Sequence, residues 1–140
     1  MRIPCTPTSL LFTVFIVCSS LVSFSQEKRS VKDLIGKWEG LDESKQKGSL
    51  HFLDSNKVVI SIGGQDTPPV TYITDFSKDP IWFDLETSGP DGQRMLAKGL
   101  LQFIDQNTIK WTTSFSDKRP SKEGSGKDDT SIVLERQRSN

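Results

Sequence analysis

Apolar and polar residues alternate with a period of two along most of the chain that follows Gly36. The shorter segments that show this alternation are SLHFL, KVVISI, VTYITDF and IWFDLE, and turn-forming residues such as Asp54–Asn56 separate them. Three later segments, RMLAKGLLQFI, TIKWTTSF and TSIVLERQ, continue the pattern. Successive side chains of a strand point to opposite faces, so the alternation predicts strands with one buried face. Together with GKWEG, the pattern predicts eight strands.

The connections between these strands are short and contain no segment of helical period. Only VKDLIG, before the first strand, predicts a helical turn, which Gly36 would end. Sequential antiparallel strands with one apolar face form either a sandwich or a closed barrel, and only the barrel leaves no free edge. We therefore predict an all-β fold, an eight-stranded antiparallel up-and-down β-barrel with a short N-terminal helical turn. Gly99, inside the seventh strand, predicts a bend or bulge there.

The first 25 residues have the pattern of a secretory signal peptide. Arg2 precedes an apolar run of about 13 residues, and SFS supplies small residues before a cleavage point between Ser25 and Gln26. The run is short for a membrane span, so an uncleaved anchor is disfavoured. A lipid anchor at Cys18 is also disfavoured, because Val17 stands where a small residue is required. We expect the protein to be exported, either periplasmic or secreted, with no stable membrane span after cleavage.

Four regions follow from this division of the chain. Residues 1–25 are the predicted signal peptide and residues 26–32 a flexible leader. Residues 33–138 form the barrel domain. Within it, residues 117–129 belong to a polar stretch with almost nothing to bury, which predicts a mobile loop.

Composition excludes several classes of function. Cleavage would remove Arg2 and no acidic residue, so the 18 basic and 18 acidic residues of the chain become 17 and 18. No basic stripe of the kind that binds nucleic acid is present. Cleavage would also remove Cys5 and Cys18, the only cysteines, and with them any disulfide or cysteine-based metal site. About 115 residues then have to fold on their apolar core alone.

Catalytic and metal sites have few candidate residues. His51 is the only histidine and is predicted to face outward, so no nucleophile–base pair can be assembled. Asp75, Asp79 and Asp84 lack the spacing of a calcium loop, and the first two are typical turn formers. We therefore predict neither an enzyme, nor a metal site, nor a cofactor.

The triplet Gly36-Lys37-Trp38, at the first strand, resembles the G-x-W motif of lipocalins and their relatives. The resemblance implies a barrel closed at one end by Trp38, against which a basic residue of the last strand packs. Arg136 is placed for that role, and a cation over an indole contributes about 0.5 to 2 kcal/mol. The alternative is that Trp38 is an ordinary core residue and Arg136 a surface residue.

A longer pattern is similar to that of short lipocalin-like domains in exported bacterial proteins. It spans roughly Leu34 to Arg136 and comprises TYITDFSKDPIWFDL, KGLLQFIDQNTIKW and RPSK. The matching positions are Tyr72, Asp75, Pro80, Asp84, Leu85, Gly99, Leu101, Phe103, Arg119 and Pro120. Members of this group are largely of unknown function, so the resemblance implies a fold more than an activity.

A set of aromatic residues falls on the predicted inner face: Phe52, Tyr72, Phe83, Phe103, Trp111 and Phe115. One interpretation is a pocket for a small hydrophobic molecule, with Tyr72 as its polar contact and an opening away from Trp38, near the GGQDTPP and SGPDG loops. The other is a filled barrel, because eight strands enclose little more than their own side chains. A filled barrel would make the chain a structural or protein-interaction domain. Its contacts would then be Trp82, on an outer face, and the loop 117–129, with the protein partner unknown.

Overall fold

The structure is a computed structural model that describes residues 28–114 and 116–139. The predicted signal peptide with Cys5 and Cys18, most of the predicted leader, and Phe115 lie outside the described residues. A single 3-10 turn, Val31–Asp33, precedes the first strand and begins inside the range predicted as leader. The Ser30 backbone N–H donates to the Asp33 carboxylate at 2.7 Å, which caps this turn.

Nine strands follow the 3-10 turn along the described part of the chain. They are β1 (Gly36–Leu41), β2 (Lys47–Phe52), β3 (Lys57–Ile62), β4 (Gln65–Asp66), β5 (Val70–Asp75), β6 (Ile81–Ser88), β7 (Arg94–Asp105), β8 (Thr108–Ser114) and β9 (Asp129–Arg136). Eight of them correspond to the predicted strands. The additional one, β4, has two residues and arises because Gly63 and Gly64, both with positive φ, turn the chain back along β3.

The strands form one antiparallel sheet that closes on itself. Their order is β2-β1-β9-β8-β7-β6-β5-β3-β4, and β2 also pairs with β3. With β4 set aside, every strand therefore pairs with the two strands beside it around a ring. This confirms the predicted all-β, eight-stranded antiparallel barrel. The barrel has two ends: the base, where β1 begins and β9 ends, and the opposite end, where the loops after β3 and β6 lie.

Local side-chain chemistry explains the tight turn between β2 and β3. Oδ1 of Asp54 accepts hydrogen bonds from the backbone N–H groups of Asn56 and Lys57, both at 2.8 Å. A short carboxylate that bonds the backbone two or three residues later stabilises such a turn. Asp75 acts in the same way after β5, where it accepts from the N–H and hydroxyl of Ser77. The turn role predicted for Asp75 is thus confirmed.

The irregularity in β7 is not where the sequence predicted it. The register against β8 shifts between Phe103 and Asp105, whereas Gly99 pairs regularly with Phe83 and Thr113. Position 99 requires a glycine for a different reason. A Cβ there would lie 2.8 Å from the carbonyl oxygen of Phe83, a backbone atom that cannot move away cheaply. The glycine permits a close approach of the two strands rather than a bulge.

The core lies inside the barrel, and a second buried patch lies outside it. Leu100 and Thr112 are neighbours across β7 and β8 and face outward, yet they are only 5% and 3% exposed. The segment between β8 and β9 covers them: Pro120 is buried, and a Cβ on Gly124 would touch Cγ2 of Thr112 at 3.3 Å. The segment predicted as a mobile loop thus packs on the outer face of the sheet; its mobility stays a prediction.

Candidate functional site

Four aromatic side chains contact one another in the core of the barrel; we call Phe52, Tyr72, Phe83 and Trp111 the aromatic cluster. The ring centroids of Phe52 lie 5.2 Å from Tyr72 and 5.7 Å from Phe83. Phe83 lies 5.6 Å from Tyr72 and 6.2 Å from Trp111. Such tilted and edge-to-face contacts are the favoured geometry for aromatic rings. Phe52, Tyr72 and Phe83 are at most 2% exposed, so side chains occupy this level of the interior.

The hydroxyl of Tyr72, predicted as a polar contact for a ligand, already has a partner. It donates a hydrogen bond of 2.7 Å to the carbonyl oxygen of Asp54, in the β2–β3 turn. A buried phenol requires a partner, and this one ties the interior to the base of the barrel. A ligand that accepted a hydrogen bond from this hydroxyl would have to break that bond.

The burial of Tyr72 changes its acidity in a measurable way. Burial, followed by the negative charge of Asp54, raises the pKa of Tyr72 from 10.0 to about 12. Tyr72 is the only tyrosine of the chain, so an ultraviolet titration reports this one group. We expect the folded protein to ionise near pH 12, and its contribution to stability to be present below about pH 10 and lost as the pH rises towards about 12. Ionisation of the native protein at the ordinary tyrosine pKa near 10 would contradict this placement.

The remaining members of the predicted aromatic set lie elsewhere. Phe103 is partly buried at the base, where its ring centroid lies 6.2 Å from that of Trp38 in an edge-to-face contact. The guanidinium of Arg29 lies over the same ring, 4.6 Å from the centroid of Phe103. Phe115 lies outside the described residues. Of the six predicted residues, four form the aromatic cluster and Phe103 lies at the base, and their role in binding a ligand stays a prediction.

The base of the barrel is built around Trp38 and Arg136, which are directly opposite each other in β1 and β9. The Arg136 guanidinium lies 4.1 Å from the indole centroid. It also donates to the carbonyl oxygens of Asp33 at 2.6 Å and Ile35 at 3.0 Å. The indole N–H donates to the Leu34 carbonyl oxygen at 2.7 Å. The structure thus brings together the tryptophan and the arginine that the lipocalin resemblance pairs. Trp38 is fully buried between Arg136 and the core.

Gly36, the third residue predicted at the base, adopts a backbone conformation that other residues avoid. Its φ is +115°, and a Cβ there would point at Nη1 of Arg136, 3.8 Å away. Glycine carries no penalty in this region of φ. The chain can therefore enter β1 directly below the Arg136 side chain.

Two grooves of the described surface lie away from the predicted opening. The larger has a volume of about 1390 Å³ and lies at the base, between the N-terminal segment and the lower ends of β6 and β7. Phe76, Ile81 and Phe103 are among its apolar lining residues, and Lys28 and Lys32 are among its basic ones. The smaller, about 320 Å³, lies outside the barrel beside Thr130 and Ser131. No residue of the GGQDTPP or SGPDG loops lines either groove.

Trp82 lies on the outer face of β6, as predicted, but two cations cover part of it. The guanidinium of Arg119 lies 4.0 Å from the ring centroid, and Nζ of Lys78 lies 4.9 Å from it. Trp82 keeps 39% of its surface exposed. The indole is thus both a support for the segment after β8 and a partly free surface.

Arg119 connects that segment to the barrel wall through a set of contacts that we call the Arg119 site. Its two terminal nitrogens pair with the two carboxylate oxygens of Asp84 at 2.6 and 3.0 Å. Nη1 also donates to the carbonyl oxygen of Gly99 at 2.8 Å. Both charged side chains are less than a fifth exposed, so this bidentate pair is shielded from solvent far more than an ordinary surface pair. Asp84, Gly99 and Arg119, matched separately by the bacterial lipocalin-like pattern, therefore meet at one place.

We expect Arg119→Ala to lower the free energy of unfolding by about 1–3 kcal/mol, because it leaves a partly buried carboxylate unpaired. Arg119→Lys should recover less than half of this loss, since an ammonium cannot pair with both oxygens of Asp84 and also cover the indole. Urea unfolding of both variants measures the effect, with exposed Arg138→Ala as the matched control. Equal stability of Arg119→Ala and Arg138→Ala would show that the Arg119 site contributes nothing to the fold.

The chemistry available elsewhere on the described chain is limited. His51 is exposed on β2, as predicted. Residues 28–114 and 116–139 hold no group of three or more His, Cys, Asp or Glu side chains arranged to bind a metal ion. These same residues include no helix with the length and apolar character needed to cross a bilayer.

Asp84 was one of three aspartates considered for calcium, and its carboxylate instead binds Arg119. The sequence had no signal for this pairing beyond the resemblance, because the partners are 35 residues apart and Arg119 lies in no alternating segment. The fold therefore presents a packed aromatic interior, an arginine-supported base and an arginine-supported outer face.

No family model, no curated protein and no solved structure matches this chain.

Proposed function

We propose that this chain is an exported, non-enzymatic lipocalin-like domain with a filled barrel, which acts by binding another protein through its outer face and loops. The observation that carries the proposal is the aromatic cluster. Its contacting rings lie 5.2–6.2 Å apart in the core of the barrel, and an eight-stranded barrel encloses little more than its own side chains. Export rests on the N-terminal signal pattern of residues 1–25.

The outer surface supports the same proposal. Large apolar side chains stay exposed on the outer face of β5, β6 and β7: Ile73 is 50% exposed, Leu96 49% and Trp82 39%. Single exposed apolar residues are common on soluble proteins, but several on neighbouring strands favour a contact surface. Within the aromatic cluster, Phe52, Tyr72 and Phe83 are by contrast at most 2% exposed.

A titration with apolar ligands tests the filled barrel. The purified protein would be titrated with palmitate, retinol and anilinonaphthalene sulfonate while the fluorescence of its three tryptophans is followed. Trp111 lies beside Phe83, so a ligand inside the barrel would change its emission. We expect no saturable change. Saturable binding that is abolished by Phe83→Trp, a substitution that reduces interior space, would identify the chain as a carrier instead.

A second candidate function rests on the groove at the base. Its volume of about 1390 Å³ is ample for a small amphipathic molecule, with Ile81 and Phe103 as apolar contacts and Lys28 and Lys32 for an anionic group. Amide chemical shifts recorded during a titration with decanoate would separate this function from the first. Saturable shifts at Phe76 and Phe103, without shifts at Phe83, would favour a ligand at the base; no shifts up to millimolar decanoate would exclude it.

A further inference from the structure

Apolar side chains are open to solvent at three strand ends of the base. Ile35 and Leu53 directly follow the last pair of the β1–β2 ladder, Gly36 with Phe52, and are 38% and 44% exposed. Ile104 is 56% exposed and lies where the register of β7 against β8 shifts, next to the turn between these strands. The end of the barrel that Trp38 closes is therefore partly apolar on its outside.

Arg136 holds two of these strand ends close to each other. Its guanidinium donates to the carbonyl oxygens of Ile35 at 3.0 Å and Asp33 at 2.6 Å. The same group lies 3.5 Å from the carbonyl oxygen of Gln106, in the turn that follows Ile104. The start of β1 and the turn after β7 thus meet at one guanidinium, and their exposed apolar residues belong to the same end of the molecule.

The base also carries more basic than acidic residues. It consists of residues 28–36, 53–57, 75–80, 104–107 and 136–139. Seven residues of these segments are basic and five are acidic. The rest of the described chain has ten basic and twelve acidic residues. The described chain is therefore neutral as a whole but has an excess of two positive charges at its base.

The lysines and the aspartates of the base have different surroundings. Lys28 and Lys32 are exposed and line the groove, and no carboxylate of the described residues forms an ion pair with either. The carboxylates of Asp33, Asp54 and Asp105 instead accept backbone N–H groups of their own turns. The two ammonium groups are thus available to an anion outside the protein.

The chain enters the base from the side of the predicted signal peptide. Its apolar run ends at Val22, and the description of the chain begins at Lys28, in the groove. The six residues from Ser23 to Lys28 span at most about 20 Å when fully extended. Before cleavage, the base would therefore lie within about 20 Å of the membrane that holds the apolar run.

We propose that the base binds an anionic lipid surface. Ile35, Leu53 and Ile104 enter the boundary between head groups and acyl chains, and Lys28 and Lys32 lie beside lipid phosphates. Buried apolar area and attraction to anionic lipids add in such binding, so the combination of both at one end favours it. This goes beyond the proposed function, because the outer face of the barrel stays accessible to a protein partner.

Co-sedimentation with lipid vesicles tests the proposal. The chain beginning at Gln26 contains every described residue and lacks the apolar run, which would bind vesicles by itself. It would be mixed with vesicles of equal parts phosphatidylglycerol and phosphatidylcholine, or of phosphatidylcholine alone. We expect at least about tenfold stronger binding to the anionic vesicles at low salt. About 1 M salt should remove most of this difference, because it screens charges beyond about 3 Å.

Matched apolar substitutions separate the base from the rest of the surface. Ile104→Ser removes an exposed apolar side chain from the base, and Leu41→Ser removes one of almost equal exposure, 57%, from the opposite end. We expect Ile104→Ser to weaken binding to anionic vesicles at least about fivefold and Leu41→Ser to change it by less than about twofold. Both positions are exposed, so the barrel core is the same in the two variants.

Matched charge reversals test the cations in the same way. The double variant Lys28→Glu, Lys32→Glu should weaken binding to anionic vesicles at least about tenfold. The double variant Lys122→Glu, Lys127→Glu changes the net charge equally, at two exposed lysines between β8 and β9, and should weaken binding by less than about threefold.

Three results would overturn the proposal: no binding to anionic vesicles, equal binding to anionic and neutral vesicles, or equal binding by the two members of either matched pair. None of these results bears on the filled barrel or on a protein partner of the outer face, which apolar ligands and partner binding test separately.

Discussion

Replacing Phe83 by alanine is expected to lower the free energy of unfolding by about 3–5 kcal/mol, the usual cost of removing a buried aromatic ring. Phe83 is fully buried and its ring contacts three others, those of Phe52, Tyr72 and Trp111. The loss combines the removed apolar contacts with the cavity that remains, because neighbouring rings on the barrel wall relax only in part. Urea unfolding followed by circular dichroism measures it.

The same substitution should also change what the barrel can bind. A cavity lined by Phe52, Tyr72 and Trp111 is apolar, and apolar cavities of this kind stay dry and accept benzene-sized molecules. We expect benzene to raise the melting temperature of Phe83→Ala and not that of the native protein. Phe83→Leu is the control, since its smaller change of volume should cost about 1 kcal/mol. A loss below about 1 kcal/mol for Phe83→Ala would mean that the ring is not packed as described.

Replacing Arg136 by methionine is expected to cost about 2–4 kcal/mol. Methionine retains the apolar stem but removes the cation above Trp38, a contribution of about 0.5–2 kcal/mol. It also leaves the carbonyl oxygens of Asp33 and Ile35 without their donors, which adds about 1–3 kcal/mol. The substitution should loosen the 3-10 turn and the contact between β1 and β9 together, because Arg136 contacts both.

Arg136→Lys and Arg138→Met are the matched controls for this prediction. Lysine keeps a charge near the indole but cannot reach both carbonyl oxygens as a planar guanidinium does, so it should recover only part of the loss. Arg138 is exposed two residues later, and its replacement should have no effect beyond about 0.5 kcal/mol. Equal stability of Arg136→Met and Arg138→Met would show that the contacts of Arg136 at the base do not stabilise the fold.

The sequence predicted the fold well because a sheet with one buried face imposes a period of two on the chain. Leu50 and Phe52 stand on either side of the polar His51, and both are at most 1% exposed. The contact of Trp38 with Arg136 followed from a family resemblance, not from the period. β4 was missed because two exposed residues carry no pattern.

The outer face could not be predicted in the same way. Leu100 and Thr112 are buried there by a segment of polar residues, and no periodicity marks such a cover. The pairing of Arg119 with Asp84 joins residues far apart in the chain, so only the folded geometry reveals it. The groove at the base likewise depends on where the N-terminal segment lies against β6 and β7, which is a tertiary property.

Xenon binding to crystals of the protein tests the filled barrel most directly, because xenon occupies apolar voids without requiring a polar partner. We expect no xenon among Phe52, Tyr72, Phe83 and Trp111 in the native protein, and one site there in Phe83→Ala. A xenon atom enclosed by these four rings in the native protein would contradict the filled barrel.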